Sequence, residues 1–425
     1  MKLNYKRTFL VGLAFLSICA FWQMYDSIVP LILQNTFHLN EAVIGAVMAI
    51  DNVLAVFLLP VVGTFSDKVD TRFGKRTPFV VVGTIAAILF MLLLPYADKN
   101  GLLWLFIIAL GMTLLAMAMY RSPAVALMPD LTPKPLRSSA NAIINLMGAV
   151  GGVYALGLIR FLVKAEEKPN YFPVFLGVAA LMLLAVVLLV CTINEKKIAA
   201  QIALEYPEEA EEEQIKEAAK GLPKPVRKSL IFILLSIFLW FMAYNAVTTA
   251  FSRYAVTIWG MEGGGFASCL MVATVAAIIS YLPIGAISSK IGRKKTILLG
   301  LCLMLISYGA VFFFPAYHAS ANIFFAIIGM GWAAVSVNSL PMVVEMSKGS
   351  EIGKYTGLYY TFSMTAQIFT PIISGLLLQY VSYHALFPYA IFFVVCAMFT
   401  MSQVRHGDSR PEQKKKVLEN FDIDD

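Results

Sequence analysis

The sequence predicts an all-α membrane protein in which twelve transmembrane helices form two pseudo-symmetric six-helix bundles. Only 14% of the 425 residues are charged and 59% are hydrophobic, whereas soluble domains average about 25% charged residues. Apolar runs such as 79–94 and 172–190 show no polar face. Runs of roughly this length cross the hydrocarbon of a bilayer, and they must be helical there because lipid offers the backbone no hydrogen-bond partners.

Twelve apolar segments separated by turn-forming residues define the predicted spans. In the first half they are 8–33, 41–65, 78–96, 102–128, 138–163 and 171–192; in the second they are 229–250, 266–288, 295–315, 321–345, 354–380 and 386–404. We expect an N-terminal bundle over 1–192, a linker over 193–228, a C-terminal bundle over 229–404 and a tail over 405–425. The first apolar run is too long for a cleaved signal, whose apolar part has roughly 7–15 residues.

The basic residues predict the orientation of the spans. Of the 33 lysines and arginines, only Lys99, Lys164 and Lys168 lie in loops on the side opposite the termini. Because basic loops stay in the cytoplasm, we expect both termini and the linker to be cytoplasmic in a plasma (inner) membrane. The net charge of +7 is then spread over short loops that face lipid headgroups, which argues against nucleic acid as a partner.

The remaining polar segments and motifs restrict the function further. The stretch 194–228 carries acids followed by bases, which favours a solvated helix over a binding module. We expect disorder after Gln403. The five cysteines show no metal-ligand spacing. We find no nucleotide-binding glycine loop and no nucleophile–base motif, so we expect neither an ATP-driven pump nor an enzyme, no metal, and no cofactor beyond a coupling ion.

The two halves repeat a short motif after their second span. The first copy contains Gly63, Asp67, Arg72, Gly74, Lys75 and Arg76, and the second contains Gly285, Ser289, Gly292, Arg293 and Lys294. The fourth and tenth spans also end alike, in Asp130 and Glu345. Internal repeats are typical of secondary transporters, which bind their substrates near the bilayer midplane.

This repeated loop resembles the signature of the major facilitator superfamily. The resemblance implies a glycine that lets two helices approach closely, and an acid and bases that form gate contacts at the cytoplasmic face. The implied gate residues are Gly63, Asp67, Arg72, Gly74, Lys75, Arg76, Asp130, Arg137, Gly285, Arg293 and Glu345. Ser289 stands where the second motif often has an acid, so we expect fewer contacts in the second half.

Four further features resemble the glycoside–pentoside–hexuronide symporters, and are nearest to their sucrose- and maltose-type branch. They are the lengthened loop 67–78, the run 21–26 in the first span, the pair Asp51-Asn52 in the second, and the segment 121–133 that ends the fourth span. The resemblance covers almost the whole chain. It implies cation-coupled uptake of a sugar.

Two carboxylates inside the spans are the candidate coupling sites for H⁺ or Na⁺. Asp51 lies about 15 Å from the start of its span at 1.5 Å per residue, near the bilayer centre, where an ionised acid costs about 2.5–3.5 kcal/mol. It must face a cavity, pair with a partner or be protonated; a helix–helix hydrogen bond is the structural alternative. Asp26 lies nearer the predicted outer interface, where a polar gate contact is the alternative.

Aromatic and amide side chains inside the spans are the candidate substrate-binding groups, because sugars bind to flat aromatic faces and to amides. The set comprises Trp22, Asn52, Arg121, Asn145, Tyr244, Asn245, Trp332, Asn338, Tyr360 and Gln367. Trp22 lies one helical turn from Asp26 on the same face. Packing is the alternative for the aromatics, snorkelling for Arg121, and a gate contact for Asn145.

Together these features predict a monomeric secondary active transporter of a small solute. We expect a proton-coupled glycoside symporter that works by alternating access. The alternatives are a Na⁺-coupled sugar symporter, a drug or metabolite exporter of the same superfamily, and a receptor or scaffold without transport. A cavity with fewer amides would favour the exporter, whereas a scaffold has little need for a charge at mid-membrane.

Cysteine labelling tests the orientation. On a background without the five native cysteines, we expect Glu211→Cys in the linker to resist a membrane-impermeant thiol reagent in whole cells. Asn100→Cys, in a loop on the opposite side, should react because that loop faces the medium. The opposite labelling pattern would reverse the orientation.

Overall fold

The computed structural model describes residues 4–69, 71–133, 136–166, 168–205, 223–346 and 352–408. Within these ranges the chain forms thirteen α-helices and a short 3₁₀ helix at Tyr383–Ala385. The α-helices are α1 (Tyr5–Asn35), α2 (Glu41–Lys68), α3 (Thr77–Lys99), α4 (Leu103–Asp130), α5 (Arg137–Leu162), α6 (Phe172–Thr192), α7 (Glu195–Glu205), α8 (Lys224–Thr257), α9 (Ala267–Ile291), α10 (Arg293–Phe312), α11 (Ala321–Glu345), α12 (Ile352–Tyr380) and α13 (Leu386–Ser402).

All helices of the described ranges except α7 contain a membrane-length apolar segment, which confirms the twelve predicted spans. The bounds agree closely except for α8, which extends well beyond the predicted 229–250 at both ends. In its polar last turns, Thr249 Oγ1 donates to the Asn245 carbonyl at 2.7 Å and Arg253 Nη1 donates to the Thr249 carbonyl at 3.0 Å. These two polar side chains therefore bond to the preceding turn of their own helix.

The chain divides into two compact units. Unit 1 comprises Met1–Pro207 with Met261–Met271, and unit 2 comprises Glu208–Gly260 with Val272–Asp425. The segment 261–271 joins unit 1 through its backbone, where the Gly264 amide donates to the Val163 carbonyl at 3.0 Å. No pattern in the sequence indicated this assignment, and the predicted boundaries at 192 and 228 stay a prediction.

Hydrogen bonds between helices set the register of unit 1. The Tyr120 hydroxyl on α4 lies 2.6 Å from Ser17 Oγ on α1 and donates to the Ala14 carbonyl at 3.0 Å. Ser122, two residues later, donates to the Leu59 carbonyl on α2 at 2.9 Å. A Cβ atom at Gly63 would lie 3.1 Å from Ser122 Oγ, so α2 and α4 approach closely at that glycine. Helix α4 is therefore tied to both α1 and α2.

The residues that follow α13 are packed, so the expected disorder directly after Gln403 is wrong for 404–408. Val404 is fully buried, the Arg405 amide donates to Ser229 Oγ at 3.1 Å, and His406 Nδ1 lies 2.9 Å from the same hydroxyl. Val404 and Ser229 on α8 thus anchor residues 404–408, whose polar composition had suggested a disordered tail. In the linker, α7 is helical, whereas 206–222, which include Glu211, lie outside the described residues.

Candidate functional site

Two acids and one arginine from three helices of unit 1 lie close together. Asp26 is in the last third of α1, Asp51 is near the middle of α2, and Arg121 is on α4. Asp51 interacts electrostatically with Asp26 and with Arg121, and all three side chains are partly buried. We call these three residues the acid–arginine cluster.

The two acids of the cluster have different partners. Asn52 Nδ2 donates to Asp51 Oδ1 at 2.8 Å, so an ionised Asp51 has an amide donor in addition to the nearby guanidinium. Asp26 accepts no hydrogen bond within the described residues. One arginine balances one carboxylate, and a second carboxylate inside a membrane is neutralised only by a proton or another cation. The cluster is therefore suited to binding one cation.

An aromatic group completes the surroundings of Arg121. Its guanidinium lies 5.8 Å from the centroid of the Trp22 ring on α1, within range of a cation–π interaction. The Trp22 ring in turn packs edge-on against Tyr25, with 5.4 Å between centroids. Arg121 therefore points toward other side chains of unit 1. Snorkelling would instead direct its guanidinium to the membrane surface.

The neighbours of Arg121 in sequence explain how it reaches this position. Tyr120 is bonded to α1 and Ser122 is bonded to α2. Because both flanking residues are fixed to different helices, the α4 backbone at Arg121 has little freedom to rotate. Arg121 can then lie over the Trp22 ring of α1 and interact electrostatically with Asp51 of α2 at the same time.

Three buried polar atoms on α1 and α5 have no hydrogen-bond partner within the described residues: Trp22 Nε1, the Tyr25 hydroxyl and Asn145 Nδ2. A buried donor left unsatisfied costs about 1–3 kcal/mol, so such atoms are candidate contacts for the hydroxyl groups of a solute. Tyr25 was not among the predicted site residues, although it precedes Asp26 in the run that carried the family resemblance.

Unit 2 contains an aromatic platform on α8 and α11. The Tyr244 and Trp332 rings stack at 3.7 Å between centroids with an interplanar angle of 7°. Phe241 packs edge-on against Trp332 at 5.3 Å. Asn245, next to the platform in sequence, has a buried Nδ2 without a partner in the described structure. This arrangement combines a flat aromatic surface with a nearby amide donor.

The other candidates of unit 2 have more structural roles. Asn338 is 2% exposed, accepts a hydrogen bond from Ser288 Oγ, and donates to the Ala334 carbonyl at 2.9 Å. Its amide therefore joins α11 to α9. Tyr360 packs edge-on against Tyr359 at 5.4 Å. Gln367 lies partly buried in α12.

Predicted gate residues meet where α2 ends and α3 begins, which we call the charged end of unit 1. The nearly buried Arg76 side chain donates to Asp67 and to Ser66, and its Nε donates to Asp130 Oδ2 at 2.9 Å. Arg76 Nη1 also reaches the Gly63 carbonyl at 3.3 Å. One arginine thus joins α2, α3 and α4.

The remaining motif residues of unit 1 lie apart from this arginine. The side chains of Arg72 and Lys75 are exposed and make no hydrogen bond within the described residues. Arg137 begins α5, but its side chain lies outside the described part. The motif thus contributes only some of its charged side chains to the contacts of Arg76.

The corresponding end of unit 2 lies where α9 ends and α10 begins, and we call it the charged end of unit 2. Arg293 forms an ion pair with Glu345 at the end of α11. Within the described residues, the Ser289 hydroxyl donates to the Ala286 carbonyl of its own helix, at 2.8 Å. Gly285 lies within α9.

Two further acids, which were not among the predicted gate residues, lie at these ends. Glu195, the first residue of α7, accepts hydrogen bonds from the backbone at the start of α3. Asp408 accepts one from the start of α10. Each acid lies far in sequence from the helix that it contacts, and neither belongs to a recognisable motif.

Known proteins resemble this chain in sequence and in fold. Residues 11–342 and 269–421 match the family model described as Major Facilitator Superfamily. Sucrose transport protein SUC3 of Arabidopsis thaliana is 26% identical over 202 residues, which are 40% of this chain and 33% of that protein. The match thus spans about a third of the length of that relative.

Two solved structures share the architecture. The xylose transporter XylE from E. coli, in an inward open conformation, has a TM-score of 0.67 at 15% identity, with 98% of each chain covered. The nucleoside transporter NupG has a TM-score of 0.70 at 13% identity, with 94% of this chain and 100% of that chain covered. At these identities the likeness shows the fold alone.

The family model covers most of the chain, and the twelve spans and the solved structures agree with it. The protein is therefore a multi-pass membrane transporter of a small solute rather than an enzyme, and it belongs to the Major Facilitator Superfamily.

Proposed function

We propose that the protein is a proton-coupled symporter that imports a glycoside by alternating access across the plasma membrane, with both termini in the cytoplasm. The observation that carries the proposal is the acid–arginine cluster beside Trp22. The sequence similarity to a sucrose transport protein and the resemblance to the glycoside–pentoside–hexuronide symporters support a sugar as the solute.

The charges of the cluster favour H⁺ over Na⁺ as the coupling ion. Arg121 already places a positive charge beside Asp51, and a second fixed cation there would be repelled in the low dielectric of the protein interior. A proton instead becomes part of a carboxyl group and removes its negative charge. Arg121 interacts with Asp51, and Asp26 interacts with Asp51, so the two acids with one arginine have one negative charge to be neutralised in this way.

The polar and aromatic groups of each unit favour a sugar as the solute. Unit 1 offers Trp22, together with the Tyr25 hydroxyl and the Asn145 amide, which have no hydrogen-bond partner in the described part of the chain. Unit 2 offers the Tyr244–Trp332 platform with Asn245. A sugar has flat faces of C–H groups and many hydroxyls, which match aromatic rings and amide donors. A drug exporter would be expected to present a more apolar set of groups.

Arg121 links the two proposed binding events. Its guanidinium contacts the Trp22 ring and interacts with Asp51. A solute against Trp22 and a proton on the acids would therefore both change the surroundings of the same arginine. By thermodynamic linkage each would alter the affinity for the other by the same factor, as coupling requires.

We further propose that the charged ends form the cytoplasmic gate. Arg76 holds α2, α3 and α4 together through Asp67 and Asp130, and contacts of this kind can favour one conformation over another only if they differ between the two. Asp67 suits such a role because its side chain is 58% exposed while Arg76 is 8% exposed. When the Asp67 carboxylate separates from Arg76, it remains in contact with solvent and its charge is not left buried without a partner.

The substitution Asp67→Asn tests the gate. We expect uptake to slow by about threefold to tenfold, the effect of losing about 1 kcal/mol from a charge-assisted hydrogen bond in one conformation. Sugar affinity, measured by titration of the purified protein, should change less. Arg72→Gln is the matched control because Arg72 is exposed and does not contact Arg76. Equal losses of rate and affinity in Asp67→Asn would remove the gate assignment.

The substitution Asp51→Asn tests the coupling. Asparagine resembles the protonated acid but releases no proton, so the variant should keep sugar binding and sugar–sugar exchange and lose uphill accumulation. The measurement is accumulation of radiolabelled sucrose or maltose in proteoliposomes under a pH gradient and, separately, under a Na⁺ gradient, with counterflow in the same vesicles. Asp26→Asn is examined in parallel.

The outcomes of the coupling test separate the candidates. Normal pH-driven accumulation by Asp51→Asn, with loss in Asp26→Asn, would move the proton site to Asp26. If the wild-type protein accumulates sugar under a Na⁺ gradient alone, the coupling ion is Na⁺ and not H⁺. Absence of uptake of both sugars under either gradient would reject the sugar assignment.

A further inference from the structure

The first turn of α3 is capped by an acid that lies more than a hundred residues later in the chain. The Lys75 and Thr77 amides donate to the Glu195 carboxylate at 2.7 and 2.8 Å, the Arg76 amide donates at 2.9 Å, and Thr77 Oγ1 donates at 2.7 Å. The N-cap residue of α3 is Arg76, whose side chain makes no cap bond. Glu195 therefore supplies the acceptor that free amides at a helix start require.

The glycine of the motif is explained by the same contact. Gly74 has φ +115°, and a Cβ atom there would lie 2.4 Å from the Glu195 carboxylate. Any L-residue at this position would be strained and would also displace the acid. The need for glycine at position 74 therefore comes partly from Glu195.

Unit 2 repeats the arrangement with different residues. The Lys294 amide at the start of α10 donates to Asp408 Oδ1 at 2.7 Å. Gly292 immediately before the helix has φ +94°, and a Cβ atom there would lie 3.0 Å from the same oxygen. In addition, Lys294 Nζ donates to the Ser402 and Val404 carbonyls at the end of α13, at 2.8 and 2.6 Å.

The two acids occupy equivalent places in the fold. Glu195 follows the end of α6, the last membrane-spanning helix of unit 1, and Asp408 follows α13, the last helix of unit 2. Each contacts the start of the third membrane-spanning helix of its own unit. The contacted amides belong to, or lie next to, the arginine of that charged end, which is Arg76 in unit 1 and Arg293 in unit 2. Glu195 holds the backbone of Arg76, whose side chain joins Asp67 and Asp130. Asp408 holds the residue next to Arg293, which joins Glu345.

We propose that Glu195 and Asp408 are a pair of positioning residues. Each fastens the first turn of the third spanning helix to the end of the last spanning helix in its unit, and so holds the charged-end arginine against its acids. The linker and the tail therefore begin at the charged ends that we propose as the gate. The role does not depend on which solute is carried.

Hydrogen exchange of the full-length protein, followed by mass spectrometry, tests the two caps. In Glu195→Ala we expect the amides of 75–77 to exchange roughly tenfold faster, as loss of a helix cap predicts, while those of 293–296 keep their wild-type rate. Asp408→Ala should show the reverse pattern, so each variant is the control for the other. Protection within twofold of wild type at the expected segment in both variants would overturn the caps.

Transport kinetics test the positioning role. Glu195→Ala should lower the turnover rate of sucrose counterflow with little change in sugar affinity, and Glu195→Gln, which keeps one acceptor oxygen, should restore part of the rate. In an Arg76→Gln background, Glu195→Ala should cost little more, because residues that act together are not additive. Glu166→Ala is the matched control, because it removes an exposed acid that lies outside the charged end of unit 1.

Additional variants keep the test decisive. If Glu195→Ala does not fold, Gly74→Ala should expose the same amides by pushing the carboxylate away. Lost protection at 75–77 with an unchanged counterflow rate, or full additivity with Arg76→Gln, would overturn the positioning role. If the wild-type protein transports no sucrose, the proposed substrate fails, whereas the exchange experiment still decides whether the caps exist.

Discussion

An ionised side chain inside a bilayer needs a compensating charge or a proton, and this requirement governs unit 1. Asp51 lies near the middle of α2 and has an arginine from α4 and an amide from Asn52. To bring Arg121 to that depth, α4 must keep its register with α1 and α2. The Tyr120–Ser17 and Ser122–Leu59 hydrogen bonds provide that register. The packing of three helices is thus tied to the position of one charge pair.

The same requirement explains why the two units differ. Unit 1 carries the acids that lie inside its spans, whereas unit 2 contributes aromatic rings and amides. A proton that neutralises an acid in unit 1 changes the balance around Arg121, which also contacts Trp22. In the proposed mechanism, coupling and solute recognition therefore meet at one guanidinium of unit 1.

Unsatisfied backbone amides impose a second constraint at the charged ends. Basic residues directly precede α3 and begin α10, and their side chains have no acceptor for the free amides of the first turns. Carboxylates brought from the ends of other helices satisfy them and require glycine beside each cap. One arginine of the motif in each unit, Arg76 or Arg293, binds acids on neighbouring helices. One short motif in each half thereby serves both the backbone and the side-chain contacts.

The sequence by itself determined the helices, because spanning a bilayer demands long apolar runs that can be read residue by residue. It also identified Asp51, Arg121 and the charged motifs, since a charge among apolar neighbours stands out. Only the tertiary structure decided which charges meet: Arg76 binds Asp130 while Arg72 remains exposed. It also revealed that Asn338 joins two helices, that the Tyr25 hydroxyl has no hydrogen-bond partner among the described residues, and that Glu195 and Asp408 accept hydrogen bonds from the first turns of α3 and α10. These contacts join residues distant in sequence, and their geometry depends on helix register and side-chain direction, which no local pattern encodes.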